Sequence, residues 1–186
     1  MRFTVVFFFW SAAFANAAEV RNSSFDEMAP QTGHPVAWHG TCLPGKGRFI
    51  RYECDQLDGR EGGRALKMSI RPDHPDEAVS YNVFQDLTGL EPGQRYRIAA
   101  KVRTLGVKNR PGVMLQCYGK QRKEMLAFAH TGAERLDKDI TEWRTLEGYV
   151  TIPDGTDLAR LRVGMSSVGN VGGTAWFDDV EVTKAD

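Results

Sequence analysis

The sequence predicts an all-β chain, an antiparallel β-sandwich of the jelly-roll kind in one domain, and three observations carry that prediction. Apolar and polar residues alternate with period two through most of the chain. Pro/Gly turns break the alternation at fairly regular intervals, and a helical apolar period is nearly absent.

Each alternating stretch reads as a half-buried strand, one face in a core and one in water. Leu66, Met68 and Ile70 share a face against Lys67, Ser69 and Arg71. Tyr96, Ile98, Ala100 and Val102 oppose Arg95, Arg97, Lys101 and Arg103; Val113, Leu115 and Cys117 oppose Met114, Gln116 and Tyr118. Leu146, Val150 and Ile152 oppose Thr145, Glu147, Tyr149 and Thr151, and Ala159, Leu161, Val163 and Met165 oppose Arg160 and Arg162. The separators are Leu43 to Gly47, Glu91-Pro92-Gly93, Arg110-Pro111-Gly112 and Pro153-Asp154-Gly155. One short helix is expected around Lys123 to Phe128.

The first 17 residues read as a secretory signal peptide: Arg2, an apolar run from Phe3, and the small residues of Ala15-Asn16-Ala17. The run is too short for a good membrane anchor, although an uncleaved anchor is the competing reading. Residues 18–186 then form one exported domain, extracellular or periplasmic, with no membrane span after cleavage. The chain carries 24 Lys+Arg against 24 Asp+Glu, so no net charge draws it to nucleic acid or to a membrane.

Three cysteines cannot all pair within one molecule. Cys42 and Cys54, which flank one loop-and-strand unit, are the expected disulfide; Cys117, on an apolar face, is expected as a buried free thiol. The histidines His34, His39, His74 and His130 show no metal-ligand spacing, and no G-x-S-x-G elbow occurs. Acidic residues are plentiful, so a carboxylate pair stays open. No convergent acid/base set is visible, and the chain is expected not to be an enzyme.

Several phrases in order add a family likeness: Asn22-Ser23-Ser24-Phe25-Asp26, then Trp38, Gly63-Arg64-Ala65-Leu66, the run from Gln85 to Tyr96, Glu142-Trp143, and Trp176-Phe177-Asp178-Asp179-Val180. In that order the chain resembles the carbohydrate-binding modules of the family four, nine and twenty-two group, from about Val20 to Thr183. Those are jelly rolls usually attached to secreted glycoside hydrolases. The resemblance implies a non-catalytic module that holds a polysaccharide or oligosaccharide on its concave sheet. The same phrases also have a structural reading. Pro92-Gly93 makes a tight turn before Tyr96, and Trp143 and Trp176 are large enough to be core or sheet-edge packing.

The resemblance further implies a structural calcium ion away from the cleft. Its ligands carry over as the Ser24 carbonyl, the Arg64 carbonyl and Asp178; Arg64 stands where the family often has Gly. Alternatively Asp178 caps a turn or pairs with an arginine. For the ligand face, sugars call for aromatic faces and for amides or guanidinium groups that bond hydroxyls in pairs. Gln85 holds the motif position of a cleft amide. Gln116, Tyr118, Arg160 and Arg162 lie on the non-core side of their strands, Tyr81 is a further candidate, and Trp38 is a candidate platform at one end. The competing reading is an ordinary solvated surface. This face is richer in arginine than in aromatics, which points to an anionic polysaccharide or to something other than a neutral glucan. Two other classes remain: a structural or adhesive sandwich that binds separate secreted or surface proteins, and a small glycan-active enzyme.

Overall fold

Strand positions follow the alternation. A computed structural model describes residues 18–43, 45, 47–55, 63–109, 111–132, 136 and 138–186; the signal-peptide reading of residues 1–17 lies outside the described residues. In chain order the strands are β1 (Met28–Ala29), β2 (His34–Pro35), β3 (His39–Leu43), β4 (Ile50–Asp55), β5 (Ala65–Ile70), β6 (Ser80–Leu87), β7 (Arg95–Leu105), β8 (Gly112–Tyr118), β9 (Met125–His130), β10 (Arg144–Thr151), β11 (Leu158–Ser166) and β12 (Thr174–Lys184). They build two five-stranded antiparallel sheets, ordered β10-β7-β12-β5-β4 and β3-β6-β11-β8-β9, with β1 and β2 as a separate small ladder. This is a β-sandwich of the jelly-roll class.

The inward parities are those of the sequence pattern. Leu66, Met68, Ile70, Tyr96, Ile98, Val102, Val113, Leu115, Cys117, Leu161 and Val163 are all buried between the sheets. Tyr96 illustrates the turn chemistry: Gly93 takes φ +77°, and the turn brings the Glu91 amide round to donate to the buried Tyr96 hydroxyl at 3.1 Å. In β12 a bulge between Asp178 and Glu181, with Asp179 at φ +47°, inserts an extra residue. Phe177 and Val180 therefore both reach the core although they are three apart.

Two expectations are corrected. The segment read as a short helix from Lys123 to Phe128 is mostly the edge strand β9, preceded by a tight turn at Lys120–Arg122 in which Gln121 and Arg122 take positive φ. Its apolar residues pack against β8 through cross-strand pairing, which overrides a weak local preference. Cys42 and Cys54 are not bridged: they sit on β3 and β4, at the edges of opposite sheets, and both are free thiols. Cys54 Sγ donates instead to the Phe25 carbonyl at 2.8 Å, and burial pushes its thiol up to about 11. Cys42 lies against the Tyr52 hydroxyl. Cys117 is buried and free, as the alternation of β8 predicts.

Trp143 and Trp176 lie on the other side of the molecule, flanking one arginine on the solvent face of the β7-containing sheet. The Arg103 guanidinium sits 5.6 Å from the Trp143 ring and 4.8 Å from the Trp176 ring.

Candidate functional site

Cross-strand register organises the solvent face of the β3-β6-β11-β8-β9 sheet. His39, Phe84, Arg162, Met114 and His130 form one row across all five strands. Asp86, Arg160, Gln116 and Phe128 form the next, and Thr41, Asn82, Gly164 and Gly112 lie on the opposite side of the first. Each of these residues has the parity opposite to its core-facing neighbours, so the pleat alone puts them in common.

Phe84 is the centre. The Arg160 guanidinium stacks 4.0 Å from its ring centroid, Arg162 lies 5.2 Å away and the His39 ring 5.5 Å away. Arg160 makes a two-pronged pair with Asp86, its Nε donating at 2.7 Å and its Nη2 at 2.9 Å. The Arg122 guanidinium also approaches Asp86 at 3.5 Å. The Arg160 hydrogen bond holds the Asp86 carboxyl below its ordinary range. The folded pKa being the lower one, the pair contributes above the ordinary aspartate value and is lost as pH falls through the lowered one.

Arg162 is held differently. Its Nε donates to Gln116 Oε1 at 2.7 Å, and the Tyr118 hydroxyl donates to the same oxygen at 2.9 Å. Gln116 thereby has its amide orientation set, and its Nε2 is turned toward Met125, 3.8 Å from the sulfur. Arg162 Nη1 is buried with no hydrogen-bond partner among the described residues, and burial lowers the pKa of this guanidinium. One arginine is thus neutralised by a carboxylate, and the other is held by a neutral amide and a phenol.

Of the residues expected on this face, the structure brings together Gln116, Tyr118, Arg160 and Arg162. It does not bring Gln85, Tyr81 or Trp38 to them. Gln85 is 2% exposed and points into the sandwich, where Oε1 accepts the Arg21 amide at 3.0 Å and Nε2 donates to the Arg21 carbonyl at 3.1 Å. It clamps the N-terminal segment onto β6. Tyr81 shares that inward parity, and its hydroxyl meets His74 Nε2 at 2.7 Å. Trp38 is buried against Phe25 with ring centroids 5.1 Å apart, its Nε1 donating to the Asn22 carbonyl at 3.2 Å. An interior amide or indole finds backbone partners there and cannot meet a ligand on the outer face.

The Gln85 role gives a direct test. Gln85→Leu strands the Arg21 amide and carbonyl, and is expected to cost about 2 kcal/mol of stability. Chemical denaturation measures that loss, while ligand affinity of the folded protein stays unchanged.

Sequence reasoning missed Phe84, Asp86, Phe128, Met114 and His130. Phe84 and Asp86 follow once Val83 and Leu87 are assigned inward. Phe128 was hidden by the helical reading of that segment, and His130 was weighed only as a metal ligand. Met114 was recognised as outward but not singled out.

The residues expected to hold calcium lie at the opposite side of the sandwich. Ser24 Oγ donates to Asp26 Oδ2 at 2.7 Å, the Arg64 amide donates to Asp26 Oδ1 at 3.1 Å, and the Val180 amide donates to the Ser23 carbonyl at 3.0 Å. These bonds draw the 23–26 segment, Arg64 and β12 together. Asp178 is 5% exposed, and its Oδ1 accepts the Asp179 amide at 2.8 Å. Asp26, not singled out from the sequence, ties Arg64 to the 23–26 segment, and the Ser24 hydroxyl is the chief reason its carboxyl is held below the ordinary range. No group of three or more His, Cys, Asp and Glu side chains suited to a metal occurs among the described residues.

Comparison with solved structures places the fold. The xylan-binding CBM22-1 domain of Paenibacillus barcinonensis Xyn10C superposes with a TM-score of 0.57 at 13% identity, over 87% of this chain and 91% of that one. The fold is that of carbohydrate-binding modules. It is shared with other proteins. The Stig cyclase Fisc from Fischerella sp. TAU, solved with an indole-containing ligand, matches with a TM-score of 0.55 at 15% identity over 92% of this chain and 98% of that one. The enzymatically active domain of bacteriophage CBA120 tailspike protein 4 matches with a TM-score of 0.57 at 16% identity, over 90% of this chain but only 21% of that one. No family profile and no curated protein matches the chain.

Proposed function

We propose that this chain is an exported, non-catalytic carbohydrate-binding module that holds a polysaccharide or oligosaccharide on the solvent face of the β3-β6-β11-β8-β9 sheet. The observation that carries the reading is the fixed row of planar groups there: the Phe84 ring, the two guanidinium groups around it and the Gln116 amide. Planar donors with preset orientation bond sugar hydroxyls in pairs at little ordering cost. The fold shared with a xylan-binding domain supports it. Asp86 neutralises Arg160, so the charge available to a ligand is smaller than the arginine count suggests. That favours a neutral or weakly acidic glycan over a strongly anionic one.

Calcium belongs to the same reading as a structural ion. Oxygen donors suit it: the Ser24 and Arg64 carbonyls and the buried Asp178 carboxylate, on three segments drawn together by the Asp26 hydrogen bonds and by the Val180 amide on the Ser23 carbonyl. When bound, the ion would supply positive charge beside a carboxylate that burial disfavours. The expected outcome is a melting temperature raised by calcium in the wild type and unmoved by it in Asp178→Asn. An identical calcium response in both proteins removes Asp178 from the site.

A glycan-array screen of the protein, with and without calcium, tests the reading. Binding to one class of polysaccharide supports it, and absence of binding to every class rejects it. A second reading, a protein-binding sandwich, is favoured by one feature. Leu105, Val168 and Val171 are exposed at one end of the sandwich, where the Asn109 side chain donates to the Val168 carbonyl and the Asn170 side chain accepts the Asn109 amide. Capture of a protein partner that Leu105→Glu abolishes, without any glycan binding, would select it.

A further inference from the structure

The groups still free to meet a ligand gather at one end of the candidate face, where β8 meets the edge strand β9. Phe84 is half-buried, and the Arg160 guanidinium lies 4.0 Å from its ring centroid, so that guanidinium covers the ring. The Arg160 side chain is only 13% exposed, and both Asp86 oxygens accept from it. Phe128 stands differently. It is 45% exposed and Met125 is 52% exposed, and neither belongs to the core.

Register brings a donor to these two side chains. Gln116 and Phe128 are direct partners across β8 and β9, which places their side chains about 5 Å apart on the outer face. Met125 pairs with Tyr118 in the next row, where a register shift leaves Leu126 as the extra residue. The Met125 sulfur lies 3.8 Å from Gln116 Nε2, so ring, thioether and amide converge on one spot. Gln116 Oε1 is filled by the Arg162 Nε and the Tyr118 hydroxyl, which fixes the amide. Its Nε2 carries two hydrogens, and a thioether sulfur, a weak acceptor, is its sole partner among the described residues. At least one N–H is thus held beside an open phenyl ring and left to donate.

That pairing suits one pyranose: its C–H face stacks on Phe128 while one of its oxygens accepts from Gln116. The open stretch is short. Past Gln116 in the same row come Arg160 and Asp86, already bonded to each other, and past β9 the sheet ends. From β9 to β11 is two interstrand spacings, roughly 10 Å, the length of a disaccharide. Resting on the glycan-binding reading above, we propose that the affinity of this face resides in a short subsite at Phe128, Gln116 and Met125, which grips one or two sugar units and not an extended stretch of chain.

Titration calorimetry against chain length tests this. The ligands are xylose, xylobiose, xylotriose and xylohexaose, the matching β-1,4-gluco-oligosaccharides, and fragments of the same lengths from any other polysaccharide that the array selects. In the series that binds, affinity is expected to level off at the disaccharide, with the hexasaccharide within about five-fold of it. Phe128→Ala should weaken the disaccharide ten-fold or more while its melting temperature stays near wild type, since the side chain is exposed. Phe128→Tyr should keep the affinity. The methionine methyl NMR signals of the wild type give a reading that depends on no variant's folding, and the Met125 methyl should shift when the disaccharide is added. A hexasaccharide more than five-fold tighter than the disaccharide, full affinity in Phe128→Ala, or an unmoved Met125 methyl overturns the short subsite and leaves the glycan-binding face standing. No binding in any series, nor to any polysaccharide of the array, removes the face and the subsite together.

Discussion

Replacing Arg162 by alanine is expected to weaken polysaccharide binding about ten-fold or more, because a hydrogen bond to a charged donor contributes roughly 1.5–3 kcal/mol. The side chain sits in the middle strand and the middle row of the face. It orients Gln116 through a 2.7 Å bond, lies over Phe84 at 5.2 Å, and keeps one buried guanidinium nitrogen without a partner among the described residues. Its removal loosens the Gln116 amide and the Phe84 ring at once. Melting temperature should change little, since no carboxylate depends on Arg162 in the way that Asp86 depends on Arg160. Arg162→Lys should not restore affinity, because an ammonium cannot reproduce the fork that reaches the amide while lying over the ring. Titration calorimetry on the two variants checks this, and wild-type affinity in both would remove Arg162 from the site. With Asp86 neutralising the neighbouring arginine, the salt dependence of wild-type binding is expected to be shallow.

Gly164→Ala should be the most destabilising of the conservative substitutions on this sheet. A Cβ at Gly164 collides with the Tyr81 carbonyl of the adjacent strand and lies 2.9 Å from the Asn82 Cα, so backbone must move. The strands concerned are β11, the central strand of its sheet, and its neighbour β6. Overpacking of this kind costs about 3 kcal/mol, a fall in melting temperature of roughly 6–12 °C for a chain of this size. A thermal melt reads it, and a change under 2 °C would mean that β6 and β11 are not paired in this register.

The legible part of the fold was the part governed by period two. Leu66-Met68-Ile70 and Val113-Leu115-Cys117 announce their buried faces because one side of each strand is apolar and the other is not. The face residues Arg160, Arg162, Gln116 and Tyr118 were found by subtraction from that pattern. The misplaced residues fall where the pattern fails. In β6 both parities carry apolar side chains, Tyr81 and Val83 on one and Phe84 on the other, so local sequence cannot say which faces water. Gln85 is a polar residue at an inward position. It belongs there because it bonds Arg21, 64 residues away, a contact that no local signal encodes. Trp38 is fixed in the same way by Phe25 and the Asn22 carbonyl. The Cys42–Cys54 pairing failed because closeness along the chain does not say that one strand joins each sheet.

The central claim is that the solvent face of the β3-β6-β11-β8-β9 sheet is where a glycan binds. The measurement that tests it most directly is an amide and side-chain NMR titration of the protein with soluble oligosaccharides from the best polysaccharide class. Shifts concentrated on Phe84, Gln116, Tyr118, Phe128, Arg160 and Arg162, with the Trp143 and Trp176 indole signals still, are the predicted result. Shifts confined to the Trp143–Arg103–Trp176 face would contradict it and move the site to the other sheet.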